Sequence, residues 1–380
     1  MIYLDNAATS FPKPEAVYEA ASRSMREAGG NPGRSGHRLS VSAGRIIEEA
    51  RALLAQLFNA PRPEQIAYTL NATDAINLAL KGVLKPGDHV VTSSVEHNAV
   101  IRPLEALKST GVDYTRVTAS PQSGVRLDEV AAAIRGNTKL MVFTHISNVT
   151  GTVNPIAEIG ALCREHGILL LVDASQSAGL RPIDVRKMNI DLMAFPGHKG
   201  LFGLQGTGGL YISEDVDVRP LREGGTGSRS EKRKQPFDRP GRYESGTLNT
   251  PGIAGLAAGV KYLLNEGIDA ICKKEAALVN RLISGLGEID GVRLHGPSAS
   301  RERSGVVSIT MEGIDPMEVS MILDSAFDIA VRAGLHCAPD AHETIGTLQT
   351  GGTIRISAGR FNTEQDIDAC LSALASISGS

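Results

Sequence analysis

The sequence predicts an α/β fold, a mainly parallel sheet covered by helices on both faces and joined to a smaller α+β domain. Two observations carry this. Apolar runs near residues 66 to 69, 89 to 95, 140 to 146, 168 to 172, 191 to 195 and 208 to 212 are short and nearly continuous, as expected of strands buried on both faces. Between them lie helical patterns such as Ser42–Leu54 and Ile156–Cys163, with apolar residues at three- and four-residue spacing. The alternation runs from about residue 15 to 255, which defines the large domain. Within it, Arg222 to Gly246 is Gly-rich and charged, with Lys232-Arg-Lys234 and Asp238-Arg-Pro-Gly241, and reads as a solvated loop. Past Gly255 a long helical stretch leads to strand signals at 292 to 294, 305 to 311 and 353 to 357 and then to a closing helix.

With 380 residues, the chain is long enough for two domains and a large core. A net charge of -3 gives no electrostatic case for nucleic acid or an anionic membrane. No apolar run approaches the length of a membrane span, and Met1-Ile-Tyr-Leu-Asp5 lacks a basic stretch followed by an apolar one, so a cytoplasmic location is expected. Cys163, Cys272, Cys337 and Cys370 are scattered, which argues against both a disulfide framework and a metal site.

The informative polar residues stand where apolar runs end. Asp173 closes Ile168-Leu-Leu-Leu-Val-Asp173, and Lys199 follows Asp191-Leu-Met-Ala-Phe-Pro-Gly-His198. Alone, such a lysine is ordinarily a solvated loop residue and such an aspartate a turn former. Together they match the needs of pyridoxal phosphate, a lysine amine for its aldehyde and a carboxylate to keep its ring nitrogen protonated. Thr69-Leu-Asn71-Ala-Thr73-Asp reads as a loop entering a helix, where free N–H groups and the Thr73 hydroxyl could hold a phosphate. By itself that segment would pass for an ordinary cap. His97, after the run from His89, is a candidate for the cofactor's ring face. Asn148 and Gln176 sit at further strand ends, where polar groups converge on ligands in open α/β sheets.

These segments, taken in order, resemble the cysteine desulfurases, in the class V aminotransferase group of fold type I pyridoxal phosphate enzymes. The resemblance rests on Tyr3-Leu-Asp-Asn-Ala-Ala-Thr9, Arg34-Ser-Gly-His37, Glu96-His97, Ser147-Asn148-Val-Thr-Gly151-Thr152, Val172-Asp173-Ala-Ser-Gln176, Gly197-His198-Lys199, Glu244-Ser-Gly-Thr247-Leu-Asn-Thr250 and Arg332-Ala-Gly-Leu-His336-Cys337-Ala338. The short last segment resembles the group II, selenocysteine lyase-like branch. The resemblance implies a seven-stranded-type sheet in a large domain of residues 15 to 255, with residues 1 to 14 and 256 to 380 forming the small domain. It also implies a homodimer acting on L-cysteine or L-selenocysteine, with a sulfur-acceptor protein downstream.

By the same match, Lys199 carries the cofactor, Asp173 pairs with its ring nitrogen, His97 stacks on the ring and Gln176 bonds its phenolic oxygen. Thr73 and His198 hold the phosphate, and Thr247 reaches the phosphate of the partner subunit. Asn148, Arg355 and His37 surround the substrate, with Arg355 as the planar partner of its carboxylate. Cys337 is the sulfur acceptor, and the neighbouring His336 and Arg332 are expected to favour its thiolate. Two positions depart from the pattern. Pro196 stands where relatives usually place Ser or Thr, and Leu335 replaces the first of two histidines before the cysteine. The competing readings are a selenocysteine lyase, another class V activity such as an aminotransferase or epimerase, and a non-enzymatic pyridoxal phosphate-binding module.

Overall fold

A computed structural model of the chain describes residues 1–33, 36–227, 231–299 and 302–379. Its large sheet has seven strands, in the order Ile66–Thr69, Gly208–Ile212, Leu192–Pro196, Leu169–Asp173, Thr138–Thr144, His89–Ser93 and Asp113–Val117. Only Gly208–Ile212 runs against its neighbours; the rest are mutually parallel in direction. The apolar runs are continuous because each strand feeds two cores. Met141, Phe143, Leu170, Val172, Met193 and Phe195 point to one face and pack with Leu54 and Phe58 of the helix Arg38–Phe58. Leu140, Val142, Leu171, Leu192 and Ala194 point to the other, against the helix Ala72–Val83. Truncating a side chain as buried as Phe143 to alanine costs about 3–5 kcal/mol.

The expected strands all form, and further ones appear, two of which extend the main sheets. Asp113–Val117 lies at the sheet edge with an exposed, charged face, including the Arg135–Asp113 ion pair at 2.6 Å. Polar residues suit an edge, and they hide the strand from a search for apolar runs. Arg332–Gly334 adds a fourth strand to the antiparallel C-terminal sheet, ordered Val292–His295, Val306–Met311, Thr353–Ser357, Arg332–Gly334. The long helical stretch is two helices, Thr250–Glu266 and Ile268–Leu286, separated by Gly267 at φ 79°. The chain's first residues join this second sheet's surroundings. Ile2–Tyr3 pairs with Ile329–Ala330, Asp5 bridges Ser357, and Leu4 is fully buried among Ile309, Ile356 and Leu374.

Candidate active site

Four consecutive strands of the large sheet, Leu192–Pro196, Leu169–Asp173, Thr138–Thr144 and His89–Ser93, end on the same side, because all four are parallel. Their ends carry Lys199, Asp173 with Gln176, Asn148 and His97 respectively. The crevice outside the carboxyl ends of such strands is where open α/β sheets bind ligands.

The turn before Lys199 is tightly fixed. Gly197 N–H donates to the Thr207 carbonyl at 2.8 Å, and a Cβ on Gly197 would lie 2.1 Å from Thr207 Oγ1, so no larger residue fits. The His198 carbonyl accepts from Ser10 N–H at 3.1 Å, Thr9 Oγ1 at 3.0 Å and Lys13 Nζ at 3.3 Å. Lys199 makes no ion pair among the described residues, and its amine is pushed down to about 8 by burial, then by the Arg355 charge, with Asp173 opposing. Burial likewise pushes His198 down to about 4, and its Nδ1 meets Thr9 Oγ1 at 3.1 Å. The buried Asp173 Oδ1 accepts from Ser175 N–H at 2.9 Å, while Gln176 Nε2 donates to the Ala7 carbonyl at 3.0 Å.

His97 caps the helix Asn98–Lys108, its Nδ1 accepting from Ala99 N–H at 3.0 Å, so a neutral ring carries its proton on Nε2. Burial pushes it down to about 4. Beside it stands a residue to which the sequence reading assigned no role. Glu96 is fully buried, and its two oxygens accept from Thr144 N–H at 3.0 and 2.9 Å. Burial pushes its carboxyl up to about 8. Because Thr144 faces Asp173 in register, Glu96 ties the His97 turn to the strand that neighbours Asp173. A glutamate directly after the apolar run 89 to 95 was the available signal.

The Cys337 loop reaches this crevice from the second sheet. Asn98 N–H donates to the Cys337 carbonyl at 2.8 Å, and Asn148 Nδ2 to the His336 carbonyl at 2.8 Å, so the loop is pinned beside both His97 and Asn148. Cys337 is exposed, and it and His336 both take left-handed backbone angles, φ 58° and 49°. That conformation disfavours side-chain-bearing residues and directs the two side chains to different surroundings. His336 turns inward. Its Nε2 meets Thr353 Oγ1 at 3.0 Å, and burial pushes it down to about 2, so it is neutral. The expectation that His336 favours the thiolate is therefore corrected: a buried neutral imidazole contributes no positive charge. Arg332 remains, with Nη2 3.8 Å from Cys337 Sγ.

Arg332 stands directly opposite Arg355 across the antiparallel pair. Like charges in that position are unfavourable. Arg355 is 1% exposed, and its Nη2 pairs with Asp5 at 2.8 Å while its Nη1 donates to the Asn148 carbonyl at 3.2 Å. Two cations facing each other beside a thiol suit a site that receives anions.

Thr73 and Thr247 lie apart from these contacts. Thr73 is exposed in the first turn of its helix, whose cap Asn71 accepts from Asp74 N–H at 2.9 Å. Thr247 is also exposed, and its Oγ1 accepts from Asn31 at 3.4 Å. Glu244, three residues earlier, is buried and held by Arg51 through two bonds of 2.7 and 3.0 Å. His37 is exposed and caps the helix Arg38–Phe58. Arg34 and Ser35, which precede it in the sequence pattern, lie outside the described residues.

The sequence profile of the aminotransferase class-V family matches residues 2–370, and the chain belongs to that family. A probable cysteine desulfurase of Methanothermobacter thermautotrophicus is 37% identical, with 100% of this chain and 95% of the relative covered. A cysteine desulfurase of Salmonella dublin is 32% identical over 99% of this chain and 93% of its own length. Among solved structures, the apo cysteine desulfurase of Thermococcus onnurineus NA1 superposes with a TM-score of 0.93 at 32% identity, over 100% of this chain and 94% of that one. The family implies pyridoxal phosphate, and the residues present fit it: a lysine amine with no ion pair among the described residues, depressed to about 8, beside a buried carboxylate at the next strand end. Among the described residues no helix is long and apolar enough to cross a membrane, and no cluster of His, Cys, Asp and Glu could hold a metal.

Proposed function

We propose that the chain is a pyridoxal 5'-phosphate-dependent cysteine desulfurase that converts L-cysteine to L-alanine and keeps the sulfur as a persulfide on Cys337. The carrying observation is that the Cys337 loop is hydrogen-bonded to Asn148 and Asn98, which follow the first and second strands on one side of the strand that carries Asp173 and Gln176. Lys199, Asp173, His97, Gln176, His198 and Thr73 would hold the cofactor, which when bound supplies an electron sink for bonds at the substrate Cα.

The chain's own residues do the rest. Arg355, with Asn148 beside it, takes the substrate carboxylate, and His37 lines the approach. Lys199, its amine depressed to about 8, moves protons at Cα near neutral pH. Cys337 Sγ, with Arg332 Nη2 3.8 Å away, attacks the substrate sulfur. One S–S bond forms, the substrate Cβ–S bond breaks, and the carbon fragment takes up a proton and leaves as alanine. The persulfide then passes to a sulfur-acceptor protein.

We propose a homodimer with shared sites, in which Thr247, exposed in the single chain, reaches the phosphate of the partner subunit. Residues 15 to 255 would then form the large domain, and residues 1 to 14 with 256 to 380 the small one. The deciding experiment is turnover of L-cysteine and L-selenocysteine by purified enzyme, with mass measurement of Cys337. Alanine together with one added sulfur on Cys337 is expected. A keto acid or inverted amino acid would point to another class V reaction instead.

A further inference from the structure

We infer that Asp5 is a positioning residue for substrate recognition, holding the Arg355 guanidinium so that one edge of it faces the carboxylate of the amino-acid substrate. The inference rests on the reading of Arg355 as the carboxylate partner and extends it to the N-terminal segment.

Arg355 offers five N–H donors in a rigid plane. Its Nη2 donates to Asp5 Oδ1 at 2.8 Å, and its Nη1 to the Asn148 carbonyl at 3.2 Å. Its Nε is buried without a hydrogen-bond partner among the described residues. A buried donor left unpaired is costly, so an acceptor is missing at that edge. A carboxylate spanning Nε and the remaining Nη2 hydrogen would supply it in a bidentate pair.

Asp5 is fixed by its backbone. Asn6 N–H donates to the Ser357 carbonyl at 3.2 Å, Ser357 N–H to the Leu4 carbonyl at 2.7 Å, and Ala7 N–H to Ser357 Oγ at 3.0 Å. The segment is thus laid along the strand that carries Arg355, which sets the Asp5 backbone beside the guanidinium. It acts as a clamp on the guanidinium plane. Arg332, opposite Arg355, would otherwise repel the second guanidinium out of line.

The test is equilibrium binding of L-alanine, and of ethylamine as a ligand lacking the carboxylate, followed through the absorbance of the bound cofactor in the holoenzyme. Asp5→Ala should weaken L-alanine binding about tenfold and leave ethylamine unchanged. Asp5→Asn, which keeps an acceptor oxygen, should restore most of the affinity, and in steady state the Asp5→Ala defect should fall on KM with kcat retained. In an Arg355→Ala background, Asp5→Ala should have no further effect. L-Alanine bound by Asp5→Ala as tightly as by the native enzyme, or more tightly, would overturn the inference. So would equal weakening of both ligands, the mark of a merely structural role. If Arg355→Ala itself left L-alanine binding intact, the assignment of Arg355 would fail instead. Should Asp5→Ala not fold, Asp5→Asn and Asp5→Glu carry the comparison, with Asp5→Glu expected between native and Arg355→Ala.

Discussion

The Lys199 turn and the Cys337 loop meet at one crevice but are built in opposite ways. Lys199 sits at the end of a central strand, in a turn that Gly197, Thr207 and the segment Thr9–Lys13 hold from several sides. Cys337 sits on an exposed loop between the edge strand Arg332–Gly334 and the short helix Pro339–Thr344, on two left-handed residues, with two hydrogen bonds anchoring its backbone. On the roles proposed above, the difference follows from what each group would do. An amine that holds a cofactor and moves protons gains from a dry, fixed setting that depresses its basicity. A thiol that takes sulfur from a buried substrate and gives it to another molecule must stay accessible.

The largest effect expected from breaking this division is at Lys199. Lys199→Ala should lower alanine formation about 10³-fold or more, since both cofactor attachment and proton transfer are lost. Borohydride reduction and peptide mapping of the native enzyme should place the pyridoxyl group on Lys199. A label on Lys139 or Lys187 would contradict the assignment.

Cys337→Ala should separate the two regions. The absorbance of the bound cofactor and the binding of L-cysteine should persist, because the Lys199 turn is untouched, while persulfide formation disappears. Selenocysteine is a softer test, since its weaker C–Se bond allows release without a thiolate. Undiminished alanine release from L-cysteine by this variant would assign the chemistry to another class V activity.

The pH dependence sharpens the contrast from the lysine side. The neutral amine is the form that reacts with the cofactor aldehyde, and the depressed value of about 8 means that its fraction rises as pH rises through 8. Reconstitution of cofactor-free protein should therefore speed up about tenfold from pH 7 to pH 9 and then level off, whereas an unperturbed lysine would still be accelerating. Stopped-flow absorbance across that range checks this, and a rate that keeps climbing beyond pH 9 would mean that the amine is not depressed.

How much of this was legible in the sequence depended on the range of the contacts. The strand ends carrying Lys199, Asp173, Asn148 and His97 could be read, because each polar residue follows its own apolar run and parallel strands bring those ends together. Asp113–Val117 could not, since an edge strand exposes one face and its charges break the apolar signal. The pairing of Asp5 with Arg355 joins residues 350 apart in the chain and leaves no local trace. His336 was misread for a related reason. Its position beside Cys337 suggested a charged neighbour, but two successive left-handed residues send its ring to Thr353, a direction that only the backbone specifies.

Thr247 tests whether the crevice is completed by a second copy. Thr247→Ala should weaken cofactor retention by about 2 kcal/mol, the scale of one hydrogen bond to a charged acceptor, with Glu244 still held by Arg51 and the dimer intact. Sedimentation with cofactor titration measures both quantities. A monomer that retains cofactor tightly at dilution would remove the shared-site reading.

The smallest effect is expected at Pro196, on the Lys199 side of the comparison. It ends its strand opposite Gly208, buried, with neither a hydroxyl nor an N–H to offer a phosphate. Pro196→Ser would add a donor, worth about 1 kcal/mol for a net neutral bond and more with a charged acceptor. Against this stands the loss of backbone restriction, since proline narrows the unfolded ensemble by about 0.4–1 kcal/mol. That term acts on folding, whereas the phosphate bond acts on cofactor binding, so the two are separable. Thermal melting of the cofactor-free variant should show a small loss of stability, while dialysis competition should show tighter retention. Equal or weaker retention would mean that another group already fills the phosphate contact, with His198, fixed by Thr9, the first candidate to examine.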